Sequence, residues 1–100
     1  MKINQFKKQL KAFVKEDADP VVHADSAGQY AVSFINFRYI TVTVTVTGSE
    51  NVNNMFVFDS VEIVDDKVFL YYGRDRNWLN IELMDKIEFH TRRPFDVRED

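Results

Sequence analysis

The sequence predicts an α+β domain: one N-terminal amphipathic helix packed on a curved antiparallel sheet, or an open small barrel, of five to six strands. Three observations predict it. Apolar residues recur at helical spacing only near the start, at Ile3, Phe6, Leu10, Phe13 and Val14. From Val21 onward the apolar period is two, as a strand requires. The segments between apolar runs are short and rich in Gly, Asp and Asn. That suits hairpins, because parallel strands need crossovers of a dozen or more residues.

The helix is expected over residues 1–18. Its apolar positions fall within an arc of roughly 100°. Lys7, Lys8, Lys11 and Lys15 fill the adjoining arc. Pro20 ends it, because the residue before a proline is pushed out of helical geometry.

Val21–Ala24 reads as a strand and Asp25–Gly28 as a turn, with Gly28 supplying a permissive φ. Tyr30–Thr47 is nearly unbroken β-former and too long for one ordinary strand. A straight strand there would bury Asn36 and Arg38 between two apolar sets. A bulge or turn near Asn36–Arg38 avoids this, so two strands are expected. Tyr39–Thr47 is uncharged and should be paired on both edges. Gly48–Asn54 reads as a loop. Met55–Val64 reads as one strand with a bulge at Asp59-Ser60, and Asp65–Lys67 as a hairpin turn. Val68–Tyr72 is apolar on both faces, as a strand covered on both sides would be. Gly73–Asn77 is the next turn. Leu79, Ile81 and Leu83 alternate like a half-exposed strand, which breaks near Asp85 because a buried unpaired carboxylate is costly. Ile87 and Phe89 follow, and residues 91–100 form a polar tail.

Composition bounds the rest. One hundred residues make a single domain, 1–100, that buries roughly two-thirds of its unfolded surface. Hydrophobic residues make up 45%, which excludes an intrinsically disordered chain. There is no Cys, so disulfides and thiolate chemistry are excluded. No signal peptide and no spanning apolar run is evident, and a cytoplasmic location is expected. Net charge is −3, unevenly spread: residues 1–17 carry +3 and the remainder −6. A basic helix is attached to an acidic body.

No chemistry-bearing motif stands out. His23 and Asp25 would share a strand face as two metal ligands, but His90 is distant in sequence and no fourth ligand is evident. Ser26, Ser33, Ser49 and Ser60 precede no helix, so none forms a nucleophile elbow. Asp65-Asp66 suits a turn for backbone reasons. Gly28, Gly48 and Gly73 make no phosphate loop. Thr41, Thr43, Thr45 and Thr47 form a ladder best explained as a solvent face of good β-formers. The lysine face of the helix suits docking on its own acidic sheet.

The partner-binding candidates are Tyr72, Arg74, Arg76 and Trp78 around one hairpin tip, with Arg92 and Arg93 after the last strand. Arg beside aromatics is the composition of protein hot spots and of nucleic-acid platforms.

One helix followed by about five antiparallel strands resembles Sm-like and other small SH3-like barrels in architecture. No Sm signature falls on Tyr71-Tyr72-Gly73, so the likeness implies no site residue. In size and charge the chain also resembles small inhibitor and accessory proteins of bacteria and phages, immunity and anti-CRISPR proteins among them. The expected function is a non-enzymatic protein-interaction module without cofactor, binding another protein or a second copy of itself. The alternatives are a nucleic-acid-binding small β-barrel and a small enzyme.

Overall fold

In the computed structural model, residues 1–17, 20–45 and 51–91 are described, with backbone alone for 45 and 51–53. The order is α1 (Ile3–Glu16), β1 (Pro20–Asp25), β2 (Gln29–Thr45), β3 (Asn51–Val64), β4 (Lys67–Tyr72), β5 (Asp75–Leu79), a 3-10 turn (Ile81–Leu83) and β6 (Lys86–His90). All strand pairs are antiparallel. β1 to β5 form a meander, and β6 returns to pair with β2. The sheet is open, not a barrel, with one helix packed on it.

The helix does not hold itself. It has no side-chain cap at its start and no acidic residue in its first turn. A fourteen-residue helix of this kind depends on burying its apolar face. Phe6, Leu10 and Val14 are buried. Five phenylalanines join the layers: Phe6 and Phe13 from α1, Phe34 from β2, Phe58 from β3 and Phe89 from β6, with ring centroids 5.3–6.4 Å apart. Full burial, as of Phe6, Phe34 and Phe58, contributes about 1.5–3 kcal/mol each, and the partly buried Phe13 and Phe89 contribute less. The expected charge attraction between helix and body is small in extent: Lys11 Nζ meets Asp25 at 3.2 Å, an exposed pair.

The longest β-former run is one strand, not the two expected. The disruption is nevertheless where parity put it. Ser33 pairs with Ser60 and Arg38 with Phe58, so four residues, 34–37, face Asp59 alone. Asn36 is exposed at this wide bulge. Arg38 is not expelled, contrary to expectation. Its side chain is 9% exposed, and its Nε donates to Asp17 Oδ2 at 2.9 Å. Its Nη2 donates to Asp17 Oδ1 at 3.1 Å, and its Nη1 to the Asn36 carbonyl at 2.7 Å. Asp17 is the C-cap residue of α1, an unfavourable place for an anion against the helix dipole. The bidentate arginine offsets that.

At the same bulge β2 changes neighbours. β1 lies along its first half, ending with Pro20 opposite Phe34, and β6 begins with His90 opposite Tyr39. Of the run Tyr39–Thr47, Tyr39–Thr43 is paired on both edges, whereas Val44 and Thr45 pair with β3 alone among the described residues. Thr41 and Thr43 are half-buried, and Thr41 Oγ1 lies 3.0 Å from His90 Nε2. Thr47 lies outside the described residues, as do Gly48 and the polar tail beyond Thr91.

Other expectations are corrected. Asn51–Asn54 is strand, not loop, because it pairs with Thr45–Val42 of β2. Asp75–Asn77 is strand, and Ile81–Leu83 is a 3-10 turn in which Asn80 Oδ1 accepts from the Glu82 amide. Ile81 is buried and Leu83 exposed, which mimics strand alternation. Gly28 does not use left-handed φ; among the described residues the positive values are at Asp65 (54°) and Gly73 (61°). Both sit in the hairpin turns read from the sequence. β4 is covered by the core on one face only: Val68 and Leu70 are buried, Phe69 and Tyr71 half-buried.

Burial pushes the Tyr30 phenol above its ordinary 10.0, and the neighbouring Asp25 carboxylate adds to the rise. The folded state then holds this proton more tightly than the unfolded state. Its contribution is complete below pH about 10 and is lost as pH rises through the elevated value. Urea titrations of wild type and Tyr30→Phe across that range should show a steeper alkaline decline in wild type. Parallel curves would contradict the assignment. The ion pair gives a second expectation. Asp17→Ala leaves a buried unpaired guanidinium and should cost about 3–5 kcal/mol, whereas Asp17→Leu with Arg38→Met should recover most of it. A double variant as unstable as the single would refute this.

Candidate functional site

The face of the sheet away from the helix is built from two rows across five strands. One row is Val21, Ser33, Ser60, Tyr71 and Arg76; the other is Ala24, Ala31, Glu62, Phe69 and Trp78. Cross-strand neighbours in such rows stand side by side on one face. Apart from Val21, the residues at β1 and β2 are small, and those at β4 and β5 are large. The face is therefore a trough with an aromatic wall.

A groove of about 290 Å³ lies in it, lined among others by His23, Ala31, Ser60, Glu62, Tyr71 and Gly73. Its far wall is His23. This residue has no Cα partner, because Val22 pairs with Val32 and Ala24 with Ala31. The one-residue bulge turns His23 onto the trough face, where its Nε2 lies 2.7 Å from Ser33 Oγ. Asp25 falls on the helix side, opposite Tyr30, and takes the Lys11 ion pair. The bulge thus separates the two residues that simple alternation placed together as metal ligands. Among the described residues no group of three or more His, Asp or Glu converges on a point.

The wall is preorganised. The Arg76 guanidinium lies over the Phe69 ring at 3.8 Å, and its Nε donates to the Tyr71 hydroxyl at 3.0 Å. Tyr71 donates in turn to Glu62 Oε1 at 2.8 Å, and Gln29 Nε2 to Glu62 Oε2 at 3.1 Å. Asp59 Oδ2 accepts from the Gly73 amide at 2.9 Å, which fixes the β4–β5 turn. Both carboxylates bordering the trough are thus committed to structural hydrogen bonds. Trp78 is 59% exposed, beside Phe69.

The six sequence candidates divide. Arg76 and Trp78 share the trough wall. Arg74 is exposed at the turn beyond it. Tyr72 belongs to the opposite face, where its ring meets Phe37 edge-on at 5.8 Å. Arg92 and Arg93 lie outside the described residues. Sequence reasoning missed Phe69 and Glu62, weighed His23 only as a metal ligand beside Asp25, and took Tyr72 rather than Tyr71 as the aromatic of this face. The alternation Val68, Phe69, Leu70, Tyr71 carried a signal for the aromatic pair. Nothing in the sequence marks the bulge at His23.

No protein-family model matches this chain, and no curated protein or solved structure matches it.

Trp78 contributes surface rather than core. Trp78→Ala should lower the unfolding free energy by under about 1 kcal/mol, against about 2–5 kcal/mol for Leu79→Ala next to it. Chemical denaturation of both variants checks this; equal losses would put Trp78 in the core.

Proposed function

We propose that this chain is a non-enzymatic protein-interaction module and that the helix-free trough is its contact face. The observation that carries the reading is the wall: an exposed Trp78 beside an Arg76 already stacked on Phe69 and hydrogen-bonded to Tyr71. An Arg held in place this way loses little side-chain entropy on binding, and an exposed Trp beside it offers a large rigid contact, which is how hot spots concentrate affinity. The small residues of β1 and β2 leave a depression into which a partner's side chains fit.

Electrostatics favours a protein over a polyanion. Arg76 shares the face with Glu62 and borders Asp59, and most lysines sit on the helix, across the sheet. The His23–Ser33 pair is exposed, and the nearby carboxylates are hydrogen-bonded elsewhere, so a base-activated nucleophile lacks its orienting third group. Among the described residues no helix is long and apolar enough to cross a membrane. With the absence of cysteine, this suits work in the cytoplasm, as a small inhibitor or accessory protein of the bacterial or phage type would do.

The test is affinity capture from the native host with wild type and an Arg76→Ala/Trp78→Ala variant, both confirmed folded. A protein retained by wild type and lost by the variant is the expected result. Identical captures would remove the trough from consideration. Oligonucleotide binding that falls steeply with salt and vanishes in the variant would instead favour the nucleic-acid reading.

A further inference from the structure

We infer that the free half-edge of β3 pairs antiparallel with the same segment of a second copy, making a two-fold dimer through a continuous sheet. The observation is an asymmetry in how the two central strands are covered. β2 carries β1 and β6 end to end along one side. β3 carries β4 opposite only Ser60–Val64 on its corresponding side. Asn51–Phe58 has no strand there among the described residues, although its ladder to β2 is continuous. Among the described residues, the backbone donors and acceptors of this eight-residue stretch that point away from β2 are thus left at an edge.

The other described edges carry the devices that keep edges from pairing. β1 opens with Pro20, has the His23 bulge and ends in Asp25. β5 carries Asp75 and Arg76, and the five-residue β6 carries Lys86 and Glu88. Asn51–Phe58 contains no charge and no proline, and its register has no bulge. At its middle Met55 and Phe56 are exposed, at 42% and 36%.

A second copy fits this edge better than a foreign strand does. The segment carries no charge to select an oppositely charged partner, and none to repel itself. Antiparallel self-pairing about a two-fold axis satisfies both edges with one geometry and closes, leaving no strand end for a third copy. An axis normal to the sheet near Met55 keeps both helices on the same side and sets the two Met55 side chains opposite each other. The trough is not used and stays open on each copy.

Sedimentation equilibrium of the full chain across a concentration series tests this. Wild type should show twice the 11.8 kDa chain mass. Met55→Lys sets two ammonium groups across the axis and should halve the observed mass while circular dichroism shows it folded. Mixing Met55→Lys with Met55→Glu should restore the doubled mass. Trp78→Ala should stay dimeric, which separates this interface from the trough. A wild type monomeric at every concentration, a dimeric Met55→Lys, failure of the mixture to associate or a monomeric Trp78→Ala would each overturn the proposal. So would open-ended association.

Discussion

A buried guanidinium sets the shape of this molecule. Arg38 needs an anion, and Asp17 supplies it from the end of the helix, 1% exposed. Leaving either alone would strand a charge in the interior. The pair fixes where the helix ends relative to the sheet. Arg38 also takes the Asn36 carbonyl and lies 5.1 Å from the Phe34 ring, so it closes the wide bulge from inside. β2 changes its neighbour from β1 to β6 at that bulge. Phe34, Phe58 and Phe89 meet just there, under Phe13 of the helix.

Much of this was legible in the sequence, for a physical reason. Burying one face imposes a period, and the period names the elements. The helix, the β3–β4 hairpin and the interruption near residue 36 all show themselves that way. The failures share a cause too. Arg38 was read as an exposed residue because parity cannot see Asp17, which is remote in sequence and local in space. Ile81 and Leu83 alternate like a strand, but a 3-10 turn also places one in and one out. Asn51–Asn54 resembles a loop in composition, yet the ladder to β2 outweighs weak strand propensity.

The candidate site was half legible. A hairpin tip with arginines and a tryptophan drew attention to Arg76 and Trp78. Composition could not say which of the neighbouring aromatics share their face; register did. Phe69 and Tyr71 stand beside them, and Tyr72 stands behind. The opposite wall depends on a single extra residue in β1, which moves His23 from one surface to the other without any mark in the sequence.

The return of β6 to β2 has a consequence for how the chain reaches this state. β2 to β5 are joined by hairpins, so each pairs with a segment only just synthesised. β6 joins residues as far apart as Tyr39 and His90. Closing that long loop costs entropy before any contact offsets it. Phe89 arrives with it and meets both Phe6 and Phe13. The helix, which precedes every described strand, therefore waits for the last of them before its aromatic cluster is whole. The meander is the early, local part of folding, and the docking of β6 is the slow, non-local part.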